Sequence, residues 1–165
     1  MLRWGLVPHW AKSLKEVGAR FINARAETLA EKAMFREYYQ ERRCLVPTTG
    51  FYEWLREGKS KTPFFLQSPT DPLLALAAIW AGWGRGDERL YSVCLLTRPA
   101  AGVAAELHAR MPVLVPANEH ERWIREAVPS EELSCWSVPL VRQEVSSYVN
   151  NANHEGAECV RPVSG

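Results

Sequence analysis

Between Cys44 and Thr97 the chain is cut by turn chemistry into five short β-rich runs, and this limits the possible folds more than any other feature. The runs are Cys44 to Pro47, Gly50 to Arg56, Pro63 to Gln67, Leu73 to Trp80 and Leu90 to Thr97, rich in branched and aromatic residues that suit a pleated surface. Glu57-Gly-Lys-Ser60 and Ser68-Pro-Thr-Asp-Pro72 read as turns. Thr28-Leu-Ala-Glu31 reads as a capping box, and Ala30, Ala33, Met34 and Tyr38 follow at helical spacing. That predicts a helix from about 29 to the low 40s, with its lysines and arginines facing water. A second helix is expected over about 117 to 127, with Trp123, Ile124 and Ala127 inward and Pro116 near its start. Short extended pieces are expected around 137 to 141 and 158 to 163. Few clean βαβ units can be traced, so the expected class is α+β, a mixed or antiparallel β core with peripheral helices.

A chain of 165 residues, 47% of them hydrophobic, has the size of one ordinary domain, and no repeat or linker divides residues 1–165. The cysteines at 44, 94, 135 and 159 form neither a Cys-x-x-Cys pair nor a zinc spacing with histidine, and each lies in or beside an apolar run. They read as small buried hydrophobes in a reducing cytoplasm, with no metal and no cofactor expected. The amino end carries no signal-peptide pattern, and the apolar stretch Leu73 to Trp83 falls short of the roughly 20 residues that cross a bilayer. No membrane partner is expected. Because the formal charge is only +1, a polyanion would have to be held by a local patch.

Several side chains could carry chemistry. In Phe21-Ile-Asn-Ala-Arg-Ala-Glu27 the two-residue period places Asn23, Arg25 and Glu27 on one face. These are an amide and a forked guanidinium offered to a ligand, or simply a solvated strand face. Glu53 alternates with Phe51 and Leu55, so it is a carboxylate among apolar neighbours. Desolvation would raise its pKa into a useful acid–base range, unless it pairs with Lys59 or Lys61. His108 precedes a proline-led apolar strand and falls on a turn, whereas His120 reads as part of a solvated helix face. Trp10 follows Pro8-His9 in a polar loop with Lys12 and Lys15 behind it, a place for a ring that stacks on a base. Trp80, Trp123 and Trp136 read as packing residues. A hydrolase built from Cys44 or Cys94 with His108 is a further reading, although neither cysteine sits at a helix start that would make a thiolate.

Taken in order, Trp4-Gly-Leu-Val-Pro-His-Trp-Ala11, Ile22-Asn-Ala-Arg-Ala-Glu-Thr28, Arg43-Cys-Leu-Val-Pro47, Gly50-Phe-Tyr-Glu-Trp54, Leu107-His-Ala-Arg-Met-Pro-Val113 and Val149-Asn-Asn-Ala-Asn-His-Glu-Gly-Ala-Glu158 resemble the SRAP family, the SOS response-associated peptidases, over essentially the whole chain. The resemblance implies a SRAP-like core that binds single-stranded DNA at abasic sites. There an N-terminal cysteine captures the sugar aldehyde as a thiazolidine after autoproteolytic removal of a leader. It also implies catalytic roles for Asn23, Glu53 and His108, with Glu53 shuttling protons and His108 assisting ring opening. Arg25 and Arg110 would hold phosphates and Trp10 would stack near the lesion.

The family's opening Met-Cys-Gly-Arg is not present, and residue 2 is Leu2. None of the four cysteines takes its place. A longer native form with that cysteine is therefore the expectation, and the chain as written is expected to bind without trapping. Other functional expectations are a non-catalytic single-strand-binding module and the Cys-His hydrolase.

Overall fold

The chain opens with β1 (Leu2–Trp4), a short helix α1 (Leu14–Val17), β2 (Asn23–Arg25) and helix α2 (Ala33–Glu41). It then runs through β3 (Arg43–Thr48), β4 (Phe51–Glu57), β5 (Ser60–Gln67), β6 (Leu74–Trp83) and β7 (Leu90–Pro99). The strand β8 (Arg110–Pro112), helices α3 (His120–Arg125) and α4 (Ser130–Leu133), and β9 (Val141–Glu144) follow, with 3-10 turns between them. This is a computed structural model that describes residues 2–17, 20–86 and 89–163. All five expected β-rich runs are strands, and the class is α+β with a mixed sheet. Among the described residues no helix is long and apolar enough to cross a membrane.

Contacts gather into two units, Met1–Pro47 with Ala75–Arg98 and Pro112–Ser137, and Thr48–Leu74 with Pro99–Met111 and Val138–Gly165. In the first unit, β7 pairs antiparallel with β6 and parallel with β1 and then β2, whose residues lie opposite Tyr91 to Val93 and Leu95 to Thr97. Alternation then sorts the side chains. Ala24, Ala77, Ile79, Ala81, Cys94 and Leu96 share one face and are all buried. They form a core with Phe35, Tyr38, Tyr39 and Trp123.

Helix α2 differs from its sequence reading. No capping box forms, because Thr28 ends a 3-10 turn and Lys32 is the N-cap without a side-chain bond. Phe35, Tyr38 and Tyr39 point inward at i, i+3 and i+4, while Ala30 and Ala33 are exposed. The aromatics remove more apolar area from water than the alanines would, and that sets the helix rotation. Arg43, expected to face water, is buried at 7% exposure. Its guanidinium donates to the carbonyls of Tyr39, Gln40, Trp123 and Ile124, the last turns of α2 and α3. On α3 the inward residue is Trp123, while Ile124 is 50% exposed and Ala127 is exposed. Trp123 and Trp136 pack in the core as expected, edge to face at 6.0 Å, whereas Trp80 is only half-buried.

In the second unit, β4, β5 and β9 form an antiparallel sheet. The hairpin between β4 and β5 turns on Gly58 and Lys59, with Glu57 opposite Ser60. Gly58 has φ +60° while Lys59 does not go positive, which matches the primed turn whose twist suits a hairpin. Gly50 enters β4 where a Cβ would lie 2.4 Å from both the Leu66 carbonyl oxygen and the Phe65 ring. The turn after β5 is held by the Ser68 hydroxyl, which accepts from the Thr70 and Asp71 backbone N–H groups. The stretch expected as extended at 158 to 163 is a 3-10 turn, Ala157–Val160, followed by one bridge between Val145 and Pro162.

Candidate functional site

The second unit brings Glu53 and His108 together. Glu53 stands mid-strand on β4, directly across from Phe64 on β5, and its side chain is 19% exposed. His108 Nδ1 lies 3.9 Å from Glu53 Oε1. Neither lysine proposed as a partner is needed, since Lys61 instead sits 4.4 Å over the Trp54 ring. Burial pushes the Glu53 carboxyl above the ordinary carboxylate range, while His108 and the Trp54 backbone N–H pull it back. The net direction is upward, toward the pH at which a carboxyl can both give and take a proton.

His108 falls on a turn, as its position before a proline-led strand implied. Leu107 and His108 N–H both donate to the Ala104 carbonyl, and Ala100 N–H closes the turn on Ala109 O. Its Nδ1 lies 3.1 Å from the Arg110 backbone N–H and 3.0 Å from the Arg110 carbonyl oxygen. An N–H can only donate and a carbonyl can only accept. Neutral His108 accepts from the Arg110 N–H through Nδ1 or, in the other tautomer, donates to the Arg110 carbonyl, and protonated His108 donates through the same atom. The ring can change charge without losing its backbone partner. Over half of the side chain remains open to solvent.

Asn23 and Arg25 belong to the first unit. Both are exposed on β2, with Ala24 buried between them. The expected alternation extends to exposed Glu27, which follows in a 3-10 turn. Trp10 is 54% exposed, on a turn that is firmly anchored. Tyr38 is 1% exposed, and its hydroxyl accepts from His9 N–H at 3.1 Å and also meets His9 Nδ1 at 3.0 Å. Ala11 N–H bonds Pro8 O, and Trp83 Nε1 donates to Ala11 O at 2.7 Å. Arg110 opens β8, half-buried, in the same unit as Glu53 and His108.

Other chemical readings weaken. Burial pushes the Cys44 thiol up to about 11 and the Cys94 thiol up to about 12, so neither supplies a thiolate near neutrality. Cys135 was expected to be buried and is exposed, because it follows the short helix α4 on the outside of a turn. His120 is half-buried rather than solvated, with Nε2 3.0 Å from Val115 O. Among the described residues no group of three His, Cys, Asp or Glu could hold a metal ion.

Two arrangements had no sequence signal strong enough to be read. Trp54 Nε1 donates to Asn150 Oδ1 at 2.7 Å, which fixes the indole beside Glu53 in sequence. Arg142 Nη1 lies 2.7 Å from Glu106 Oε2 in the His108 turn. Neither pair is close in sequence, and only the folded chain brings the partners together.

The chain is thus mixed α+β, with a carboxyl and an imidazole facing each other in one unit and an exposed amide and guanidinium on a strand of the other. The chain belongs to the SOS response associated peptidase (SRAP) family, whose model matches residues 1–152. It is 34% identical to abasic site processing protein YoaM of Bacillus subtilis over 95% of this chain and 72% of that protein. It is 30% identical to abasic site processing protein YedK of Escherichia coli over 97% of this chain and 73% of that protein. A crystal structure of a protein from Bacteroides thetaiotaomicron superposes with a TM-score of 0.83 at 25% identity, covering 97% of this chain and 75% of that one.

Proposed function

We propose that this chain recognises abasic sites in single-stranded DNA, that His108 assists opening of the sugar ring and that Glu53 acts at the opened aldehyde. The observation that carries the reading is the 3.9 Å approach of the His108 imidazole to a largely buried carboxyl whose pKa is raised. An abasic sugar is mostly a closed hemiacetal. Opening it takes a proton off the hydroxyl at C1′ and puts one on the ring oxygen. His108 serves that exchange, because Arg110 offers it a backbone partner in either charge state. Glu53 exchanges protons with the amine that attacks the aldehyde. In DNA binding, Asn23 offers an amide, Arg25 and Arg110 hold phosphates by forked donors, and Trp10 offers a stacking ring. Membership of a family with relatives named for abasic site processing supports the same substrate.

In a form that begins with cysteine, the α-amine adds to the aldehyde and water leaves to give an imine. The thiol then adds across the C=N bond, and the imine nitrogen takes the thiol proton, closing a thiazolidine. The precursor of that form removes its own leader to expose the cysteine. The test compares a fluorescent single strand carrying one abasic site with its intact counterpart, by anisotropy. Preference for the abasic strand is expected. Equal affinity for both strands overturns the reading.

A further inference from the structure

Three contacts in the second unit involve one arginine that the functional reading does not use. Across the sheet, Phe51, Leu66 and Arg142 form one row, and Glu53, Phe64 and Glu144 form the next, on the same face. The Arg142 guanidinium leans over the Phe64 ring, 5.3 Å from its centroid, and Phe64 stands directly across from Glu53. From there its Nη1 reaches Glu106 Oε2 at 2.7 Å, two residues before His108. Leu107, between Glu106 and His108, is 8% exposed. The hydrogen bonds within the turn hold it to itself, and Arg142 ties it to the sheet that carries Glu53.

We propose that Arg142 is a positioning residue for His108: its ion pair with Glu106 seats the turn so that the imidazole faces Glu53. The catalytic meaning of that seating rests on the function proposed above. The Arg142 and Glu106 side chains are 36% and 57% exposed, so the pair adds little to global stability. Its effect is local, because a nearby carboxyl and imidazole interact steeply with distance. Besides His108, charged groups placed near this face include Arg142, its partner Glu106, Arg110 beside His108, and Glu144, which is separated from Glu53 by Phe64.

The test is the titration midpoint of the Glu53 carboxyl carbon by NMR, with no DNA present, in wild type, H108A, E106Q, R142A and the reversed pair E106R/R142E. Removing His108 raises the Glu53 midpoint, since the imidazole lowers it in the intact protein. R142A raises it too, but there the lost positive charge contributes. E106Q is decisive, because loss of its negative charge alone lowers the midpoint, whereas release of His108 raises it. The expected result is an upward move in E106Q in the direction of H108A, largely restored in the reversed pair. A downward move or none in E106Q, or no movement in H108A, overturns the proposal. A second readout, sugar ring opening in the DNA complex, should fall in E106Q at unchanged affinity, by up to the roughly hundredfold that a misplacement of about 1 Å can cost. Because the titration needs no DNA, it judges the positioning even where the functional reading fails.

Discussion

Replacing Arg43 with methionine removes a cation from the place where two helices end. The side chain is 7% exposed and donates to four backbone carbonyls: Tyr39 at 2.6 Å, Gln40, Trp123 at 2.8 Å and Ile124 at 3.4 Å. These belong to the last turns of α2 and α3, whose carbonyls have no partner within their own helices. Burial lowers the Arg43 pKa, but a guanidinium stays charged at any working pH, so the contacts are charge-assisted. A hydrogen bond to a charged group contributes about 1.5–3 kcal/mol, and an acceptor left buried costs about 1–3 kcal/mol. The four contacts share one side chain and are not additive, and the Ile124 contact is long. R43M should therefore lose about 3–5 kcal/mol, a large part of the roughly 5–15 kcal/mol that holds a typical domain. R43K keeps the charge but lacks the planar fork, and should recover less than half of the loss. Urea unfolding at neutral pH, followed by tryptophan fluorescence, measures both. A midpoint for R43M that corresponds to less than about 1 kcal/mol of destabilisation would refute the assignment of these contacts as a structural necessity.

Glu53 should weaken the fold that holds it. Its folded pKa lies above its unfolded one, so its contribution is whole below the unfolded value and is lost as pH rises through the folded value. E53Q should match wild type in acid and exceed it in stability near neutrality, and thermal melts showing wild type more stable at neutral pH would contradict this. Gly50→Ala should lose about 1–3 kcal/mol, because the added methyl meets the Leu66 backbone oxygen at 2.4 Å and a backbone carbonyl cannot rotate away; chemical denaturation reads it. A thiol reagent should label exposed Cys135 at least about tenfold faster than Cys44 or Cys94, whose thiols burial holds at about 11 and about 12. Mass spectrometry of partly labelled protein orders the sites.

The strands were legible because turn residues bracket them and because period-two alternation survives wherever one face is buried, as at Ala24 between Asn23 and Arg25. Helix α2 was legible in place but not in rotation. Alanines and aromatics both fit a 3.6-residue period, and only the shape of the core decided for Phe35, Tyr38 and Tyr39. Arg43 was misread because nothing local shows that α3 will end beside α2. Glu53 could be singled out as a carboxyl among apolar residues, but its partner could not. Lys59 and Lys61 are near in sequence, whereas His108 arrives from 55 positions away. The same separation hid Arg142 from Glu106 and Asn150 from Trp54.

The most direct measurement is the rate at which the two closed anomers of an abasic sugar interconvert, since that passage runs through the open aldehyde. An oligonucleotide labelled with carbon-13 at C1′ reports it by exchange spectroscopy, free and bound. Binding should speed the exchange, and H108A should lose about a hundredfold of the gain, the scale of general acid–base assistance, while still binding the strand. An exchange rate in the complex equal to that of the free strand, or one that H108A leaves unchanged, would contradict a role for His108 in opening the sugar.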